Sequence, residues 1–260
     1  MRPATELYEK IKGQKPLSTS NATLDKLLHG GFMSDTIYFL HGPTAMMSTT
    51  LMNVAVNFFL PPIDGGKGSP RGKVAYVDGL NRFNPYYISK FAVSNRLGAN
   101  YVLKNIVVSR VFTWSQMGEV LQEKIHNLEE IGLILVAGLT NMLNEHIDAN
   151  HNARPFQDLK KMFGGLNKSI EKSQPTVVMT GLRHPKSRFK PLGGTQLAHF
   201  CQIIVGIYEY RRYIDFKLEQ HPFLPYRAER YWKNVPMQDT RKRRKTIQQK
   251  LHNTNLDAFM

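Results

Sequence analysis

The chain has 260 residues, which fits one large α/β domain with appendages or two small ones, and its 42% of hydrophobic residues can bury a full core. Its one cysteine, Cys201, excludes a disulfide framework and a cysteine-rich zinc site, and it fits a reducing cytosol. A formal net charge of +15, from 35 Lys and Arg against 20 Asp and Glu, favours a polyanionic partner, with nucleic acid expected before an anionic membrane surface.

The first part of the chain contains two helical patterns and a strand. A short helical stretch covers residues 7–12. The second helix follows a Ser/Thr/Asn cluster that can cap it, places leucines 24, 27 and 28 on one face, and ends at Gly30-Gly31. Residues 37–40 are all apolar or aromatic and predict a short buried strand.

A glycine turn and a Ser/Thr cluster follow this strand, and an apolar helix is predicted over residues 51–60. This is the layout of a phosphate-binding loop, G-x-x-x-x-G-K-[ST], and Thr49 follows Gly42 at the required spacing. The chemistry differs, because Met47 stands at the second glycine and Ser48 at the lysine. No other lysine lies between residues 36 and 60 to replace it.

Strands and helices alternate along the rest of the chain. Five further strands are predicted, at residues 73–78, 106–110, 131–138, 176–180 and 203–208. Three further helices are predicted, at residues 85–97, 115–128 and 156–172. The alternation indicates an α/β fold with a doubly wound, mostly parallel sheet, in which the apolar strand at 131–138 is central and covered on both faces.

Five blocks of sequence carry a family resemblance. Residues 191–199 read PLGGTQLAH, and residues 78–85 read DGLNRFNP. The other blocks are residues 4–10 with 24–31, residues 60–66 and residues 221–225. In this order and spacing they resemble the ATPase core of the archaeal RecA/RadA recombinases, and more closely their shorter paralogues. The resemblance implies a RecA-like P-loop core over residues 1–232, with a lead-in at 1–16, and a flexible basic tail over 233–260.

Three positions that ATP hydrolysis needs in that family are changed. The family requires a lysine on the phosphates, an acid that holds Mg²⁺ at the end of the central strand, and a glutamate that activates water. Here the three positions are Ser48, Ala137 and Leu80. Because the cationic and anionic parts are both replaced, the resemblance implies degenerate Walker A and Walker B motifs and a pseudo-ATPase with no catalytic residue.

The remaining nucleotide contacts would be vestigial. Gly42, Ser48, Thr49 and Thr50 are the residues that could still meet a phosphate or an ion. No cofactor is required, although weak ATP binding stays open, and the alternative is that methionines at 46 and 47 fill the vacated pocket. No metal site is expected, because the histidines at 146, 151 and 184 match no metal-ligand spacing.

Two loops are the expected contacts to single-stranded DNA, since recombinases of this family bind DNA through the loops after the central strand and the next strand. The first would fall within residues 144–154 and includes Arg154. The second, residues 183–190, combines positive charge with one aromatic ring, which suits backbone tracking and base stacking. Its candidate residues are Arg183, Lys186, Arg188, Phe189 and Lys190. The alternative is a solvated basic loop.

The segment before the tail mixes basic and aromatic residues. Residues 211–213 and 227–233 could pack as readily as bind, and residues 230–232 on an edge strand would form an ordinary surface with exposed charged ends. The tail then contains a positively charged run that is a further DNA-binding candidate. Its members are Arg241, Lys242, Arg243, Arg244 and Lys245.

The last residues are similar to the C-terminal peptide by which archaeal DNA-processing proteins bind the sliding clamp PCNA. Leu256 and Phe259 fit the spacing of its hydrophobic plug, whereas Asn253 replaces the glutamine and Met260 the second aromatic residue. A position after a basic linker suits such a peptide. The sequence therefore offers PCNA as a candidate partner.

The resulting hypothesis is a non-catalytic recombinase paralogue that binds single-stranded DNA, a RadA-type recombinase, or both, in homologous recombination or DNA repair. One alternative is an ATP-binding regulatory ATPase of the KaiC-like type with a rearranged site. Another is a PCNA-tethered protein adaptor. No signal peptide pattern or membrane-spanning apolar run is present in the sequence, so a cytoplasmic, nucleoid-associated location is expected.

Overall fold

A computed structural model of the chain describes residues 14–68, 72–149, 155–184, 187 and 190–233. The helix predicted at residues 7–12 lies outside this range. Within it, no helix combines the length and the apolar character needed to cross a membrane.

The described residues fold around one sheet of eight strands. In chain order the strands are β1 Thr36–His41, β2 Lys73–Asp78, β3 Ile106–Arg110, β4 Ile131–Ala137, β5 Thr176–Gly181, β6 Ile203–Glu209, β7 Tyr213–Gln220 and β8 Arg227–Trp232. Their order across the sheet is β3-β2-β4-β5-β1-β6-β7-β8. All pairs from β3 to β6 are parallel, and β7 and β8 continue the sheet antiparallel. The predicted α/β class with a mostly parallel sheet is confirmed.

The central strands are buried because both faces of the sheet are covered. Every residue of β5 is buried, and in β4 only Gly132 is partly exposed. Successive residues point to opposite faces, so Tyr38 packs in one hydrophobic cluster and Phe39 in the other. The near-continuous apolar run that predicted a central strand is therefore a consequence of two covered faces.

Eight α-helices are formed by the described residues. They are α1 Ala22–Leu27, α2 Thr44–Asn57, α3 Pro85–Ser94, α4 Ala99–Lys104, α5 Trp114–Glu119, α6 Leu139–Ala149, α7 Pro155–Ser173 and α8 Gly194–Phe200. Helix α5 continues as a π-helical turn over Val120–Lys124 and a 3-10 turn over Ile125–Asn127. The prediction at 115–128 was thus right about a helical segment but not about one uniform α-helix.

The helix predicted at residues 85–97 is α3, which ends at Ser94, and a second helix, α4, follows it at Ala99–Lys104. Arg96 adopts a left-handed conformation with φ +61°, and the Leu97 N–H donates to the Ala92 carbonyl at 2.9 Å. This closes the carboxyl end of α3 before Gly98 begins α4. The sequence prediction missed α4 because its six residues are too few to show a helical period.

The antiparallel strands β7 and β8 extend the sheet past β6 and pack against α1. Ile214, Phe216 and Leu218 of β7 are buried in the same cluster as Leu24 and Leu27 of α1. Helix α1 begins at Asn21, whose side-chain oxygen accepts from the Thr23 and Leu24 N–H groups at 3.0 and 3.1 Å. On the surface an ion pair of 2.9 Å joins Lys26 of α1 to Glu229 of β8.

Candidate nucleotide site and nucleic-acid surface

Only Gly42 and Pro43 connect β1 to α2, at the carboxyl edge of the sheet. The helix predicted at residues 51–60 begins at Thr44 and ends at Asn57, so that prediction was wrong about both ends. Gly42 has φ +153°, and a Cβ atom there would lie 2.4 Å from the Ile207 carbonyl oxygen of β6. Glycine is required at this position because the backbone passes directly against the neighbouring strand.

The segment that would form a phosphate loop is the first turn of α2. Between Gly42 and Met47 a working loop would turn its backbone N–H groups towards the phosphates. Here Pro43 has no N–H group, Thr44 is already helical, and the Met47 N–H donates to the Pro43 carbonyl at 3.1 Å. This backbone is part of a helical turn, so it does not form the open loop that would surround the phosphates.

Side chains of this turn are occupied by packing and by bonds within the helix. Met47 is fully buried, and Ser48, at the lysine position, is buried and donates through Oγ to the Thr44 carbonyl at 3.0 Å. Thr49 is exposed, and its Oγ1 donates to the Ala45 carbonyl at 3.1 Å. Thr50 is buried. Of the four vestigial candidates, Gly42 contacts β6 and the three hydroxyl residues lie along α2.

The residues at the end of the central strand itself, where a Mg²⁺-linked acid would stand, are neutral. Ala137 is fully buried, and the Gly138 N–H donates to Thr180 Oγ1 at 3.1 Å. Thr140 Oγ1 accepts from the Leu182 N–H at 2.7 Å. These hydroxyl groups join the loops after β4 and β5 to each other, and they supply no carboxylate to an ion.

Asp78 is the last residue of β2, and its carboxylate is buried at this edge of the sheet. Its oxygen atoms bond to the backbone of the loop that follows the strand. They accept from the Leu80, Arg82 and Phe83 N–H groups at 3.2, 3.2 and 2.8 Å. Leu80, at the position of the catalytic glutamate, fills the space over Gly138, where a Cβ atom would lie 2.5 Å from it. Among the described residues no group of three His, Cys, Asp or Glu side chains could hold a metal ion.

A buried polar network that the sequence did not reveal lies beside Gly42. Nε2 of His41, fully buried, is 2.8 Å from Glu219 Oε2, and the Tyr208 hydroxyl donates to Glu219 Oε1 at 2.5 Å. Burial, together with the bond to Glu219, raises the pKa of Tyr208. Gly206 leaves room for this carboxylate, since a Cβ atom there would lie 2.3 Å from Glu219 Oε1. In the sequence, the only signal for this network is the position of His41 next to a glycine turn.

The second predicted DNA loop follows β5 and closes on itself. Arg183 forms a bridge with Pro191, and the His184 N–H donates to the Lys190 carbonyl at 2.9 Å. Arg183 and Lys190 are exposed, and the Arg183 guanidinium carbon lies 5.3 Å from the ring centroid of Tyr208. These two exposed basic residues therefore stand at the two ends of the predicted loop. Lys186, Arg188 and Phe189 lie outside the described residues.

The first predicted DNA loop is in part a helix. Residues 144–149 are the last turns of α6, so the prediction of a loop from 144 was wrong there; the sequence Leu139–Ala149 carries apolar residues at helical spacing. Arg154 lies outside the described residues. So do the basic run Arg241, Lys242, Arg243, Arg244 and Lys245 and the clamp peptide residues Asn253, Leu256, Phe259 and Met260.

Comparison with known proteins places this fold among recombination proteins. Residues 14–229 match the family model described as Rad51. The chain is similar to the DNA repair and recombination protein RadB of Methanococcus maripaludis strain C7, with 26% identity over 201 residues, which are 76% of this chain and 88% of that protein. A second RadB from Methanococcus maripaludis is 25% identical over the same shares of both chains.

Proposed function

The chain belongs to the Rad51 family, and from that premise we propose that it acts in DNA recombination and repair as a pseudo-ATPase. One observation carries the proposal: the first turn of α2 occupies the phosphate loop, with Ser48 bonded to the Thr44 carbonyl. The acid positions are filled by Ala137 and Leu80. Phosphoryl transfer depends on neutralising phosphate charge, and neither the cation nor the metal-holding acid is available for it.

Release of phosphate from ATP tests this proposal directly. With Mg²⁺ and single-stranded DNA present, the full chain is expected to release no phosphate above the background of a Thr49→Ala variant. Hydrolysis that Thr49→Ala abolishes would mean that the loop still works. A parallel titration with a fluorescent nucleotide distinguishes the KaiC-like alternative, because tight, Mg²⁺-dependent binding without hydrolysis would favour an ATP-sensing role.

We further propose single-stranded DNA as a ligand. The net charge of +15 and the exposure of Arg183 and Lys190, at the two ends of the predicted loop, support a surface that tracks phosphates. Binding of a labelled oligonucleotide, measured across a salt series, should weaken as salt rises. Arg183→Ala and Lys190→Ala should each reduce the slope of log affinity against log salt by about 0.7. Lys90→Ala, an exposed lysine on α3, is the matched control.

A RadA-type recombinase is a second proposed partner, and the free edge at β3 favours it. β3 is the outer strand on the parallel side, and Val107 and Val108 are 39% and 37% exposed. An exposed apolar edge strand can add a strand from another chain. Val108→Lys should then remove co-elution with the recombinase, whereas Val93→Lys, on α3 and 63% exposed, should keep it.

PCNA remains a proposed partner through Leu256 and Phe259. Deletion of residues 256–260 should abolish binding to the clamp without changing the affinity for single-stranded DNA. If that deletion removed recruitment to DNA while the rest of the chain showed no salt-dependent DNA affinity, the protein would act as a clamp-tethered adaptor. Clamp binding that survives the deletion would assign the contact to another segment.

A further inference from the structure

The turn between β6 and β7 carries a compact group of aromatic and arginine side chains that the proposed function does not use. We call it the hairpin cluster; it consists of Tyr210, Arg211, Arg212, Tyr213, Arg230 and Trp232. The Tyr210 N–H donates to the Tyr213 carbonyl at 2.9 Å, which closes the turn. Tyr213 lies opposite Trp232 across the β7–β8 pair, so β8 brings its last residues to this turn.

The rings of the cluster are ordered by one another and by Arg230. Tyr213 lies 4.6 Å from Tyr210 and 5.4 Å from Trp232 between ring centroids. The Arg230 guanidinium carbon is 3.9 Å from the Tyr213 centroid and 5.5 Å from that of Trp232. Asp215 holds this guanidinium through bonds of 2.6 and 3.0 Å. The aromatic side chains therefore have defined positions without being buried.

Exposure separates the centre of the cluster from its rim. Tyr213 is only partly exposed and makes the cross-strand contact that stabilises the hairpin. Tyr210 and Trp232 are 43% and 61% exposed. Tyr210 makes a tilted ring contact and Trp232 an edge-type contact with Tyr213, and both outer residues keep surface that is accessible to a flat ligand.

The charge around the rings selects the kind of ligand. Arg211, Arg212, Arg230 and Lys233 contribute four positive charges here, and the ion pairs of Arg230 with Asp215 and of Lys233 with Glu209 offset two of them. Cations beside exposed aromatic faces suit a chain of phosphates that carries unpaired bases, because each base offers a face for stacking. An apolar or basic protein partner would not match this charge.

We infer that the hairpin cluster is a base-stacking site for single-stranded nucleic acid, with Tyr210 and Trp232 as the stacking rings and Arg211 and Arg212 as phosphate contacts. The inference rests on the proposed binding of single-stranded DNA and adds a second contact to it. β6 leaves the same edge of the sheet as β5, which leads into the loop of Arg183, and Arg183 already lies over Tyr208 of β6. One strand of DNA could follow both.

Tryptophan emission tests the stacking site in the unaltered protein. The chain has two tryptophans; Trp232 is 61% exposed, while Trp114 is 5% exposed and donates to Asp158 at 3.0 Å. Saturating oligo(dT) is expected to quench the emission. Trp232→Phe should remove the quenching but keep the affinity, because phenylalanine can still stack. This readout does not depend on a destabilising substitution.

Affinity measurements give the second readout. Tyr210→Ala should weaken oligo(dT) binding about five- to fiftyfold with an unchanged salt slope, since stacking neutralises no phosphate. Arg212→Ala should instead lower the slope by about 0.7. Tyr86→Ala, on α3 and 85% exposed, is the matched aromatic control and should bind as the original chain does.

The outcomes separate this inference from the proposed function. If oligo(dT) binds in a salt-dependent way but Trp232 emission and the Tyr210→Ala affinity are unchanged, DNA binding stands and the stacking site is overturned. If no oligonucleotide binds, both fail. If the emission changes only with an acidic protein partner and not with oligo(dT), the cluster is a protein-docking surface and the inference is also overturned.

Discussion

Two connections leave the same edge of the sheet, the pair of residues between β1 and α2 and the turn between β6 and β7, and they differ in charge and exposure. After the first, Met47 and Ser48 of α2 are buried, and the hydroxyl groups of Ser48 and Thr49 bond within the helix. At the second, Tyr210 and Trp232 are exposed beside arginines. The β1–α2 connection is thus followed by a packed helical turn, whereas the β6–β7 turn presents aromatic and arginine side chains to solvent.

The fold keeps the strand–turn–helix connection here, although the residues along it differ from those of a phosphate-binding loop. The β1–α2 connection retains the spacing from Gly42 to Thr49. Its backbone is nevertheless helical where a ligand would sit. Five experiments test this contrast between a packed connection and an exposed one, and they are given in order of decreasing effect.

Rebuilding the phosphate-loop residues in the packed connection should be strongly destabilising. Met47→Gly with Ser48→Lys removes a fully buried side chain, adds a glycine to a helix and places an ammonium group in a buried position. We expect a loss of about 4–6 kcal/mol in the free energy of unfolding, measured with urea. Ala45→Gly, at an exposed position of the same helix, should lose only about 1 kcal/mol. Equal losses in the two variants would contradict a packed role.

The buried network of His41, Tyr208 and Glu219 lies between the two connections, because His41 is the last residue of β1 and Tyr208 lies on β6. Glu219→Ala leaves the His41 ring and the Tyr208 hydroxyl without their acceptor, and we expect a loss of about 3–5 kcal/mol in urea unfolding. Glu229→Ala breaks only the surface pair with Lys26, which is 71% exposed, and should lose less than about 1 kcal/mol. A small effect at Glu219 would mean that the two regions are not coupled.

Two buried tyrosines offer a further test, because among the described residues only one of their hydroxyl groups has a hydrogen-bond partner. The Tyr208 hydroxyl donates to Glu219, whereas no described residue bonds to the Tyr76 hydroxyl. Tyr208→Phe should lower the free energy of unfolding by about 1–3 kcal/mol at pH 7. Tyr76→Phe should leave it unchanged or raise it by less than about 1 kcal/mol, because it removes an unsatisfied buried group. Equal losses would contradict this assignment of partners.

Buried tyrosines and the buried cysteine determine how the stability of the protein responds to alkaline pH. Burial raises the pKa values of Tyr38, Tyr76, Cys201 and Tyr208. Above the ordinary pKa of each group the unfolded chain loses a proton that the folded chain keeps, so stability falls as pH rises from about 9 to 11. Each group contributes about 1.4 kcal/mol per pH unit. Tyr76→Phe should reduce this alkaline loss, and Tyr86→Phe, exposed by 85%, should not.

The smallest effect concerns the helix that supports the antiparallel strands. Asn21→Ala removes the cap of α1, and we expect a loss of about 1 kcal/mol in the free energy of unfolding. Because α1 packs on β7 through Leu24 and Leu27 and contacts β8 through Lys26 and Glu229, hydrogen exchange should quicken in those strands more than in β4. Equally faster exchange in all strands would show that β7 and β8 do not open separately from the rest of the sheet.

The parallel strands could be predicted from the sequence because most of them are apolar on both faces, whereas β7, in which polar residues alternate with buried ones, was not predicted. The run at 131–138 and the Lys73–Asp78 segment need no knowledge of their neighbours to be recognised. The start of α2 was missed, although Pro43 just before a helix and the helix-forming Ala45 and Met46 are signals for it. The prediction followed the phosphate-loop pattern and did not use the helix propensity of these residues.

Site features that depend on strand register could not be predicted. His41 and Glu219 are 178 positions apart, and they meet only because β6 lies between β1 and β7. Asp78 could be recognised as a residue at a strand end, but its three backbone donors come from a loop whose path the sequence does not fix. Distances of this kind follow from the order of strands, which local patterns do not contain.

The glycine at position 206 has a consequence for how such chains can change over time. Its missing side chain is the space in which the Glu219 carboxylate lies. A larger residue at 206 would displace the acid, and an uncharged residue at 219 would remove the need for the space. Among relatives the two positions should therefore vary as a pair, with His41 as the third member, so that losing one opens the way to losing all three.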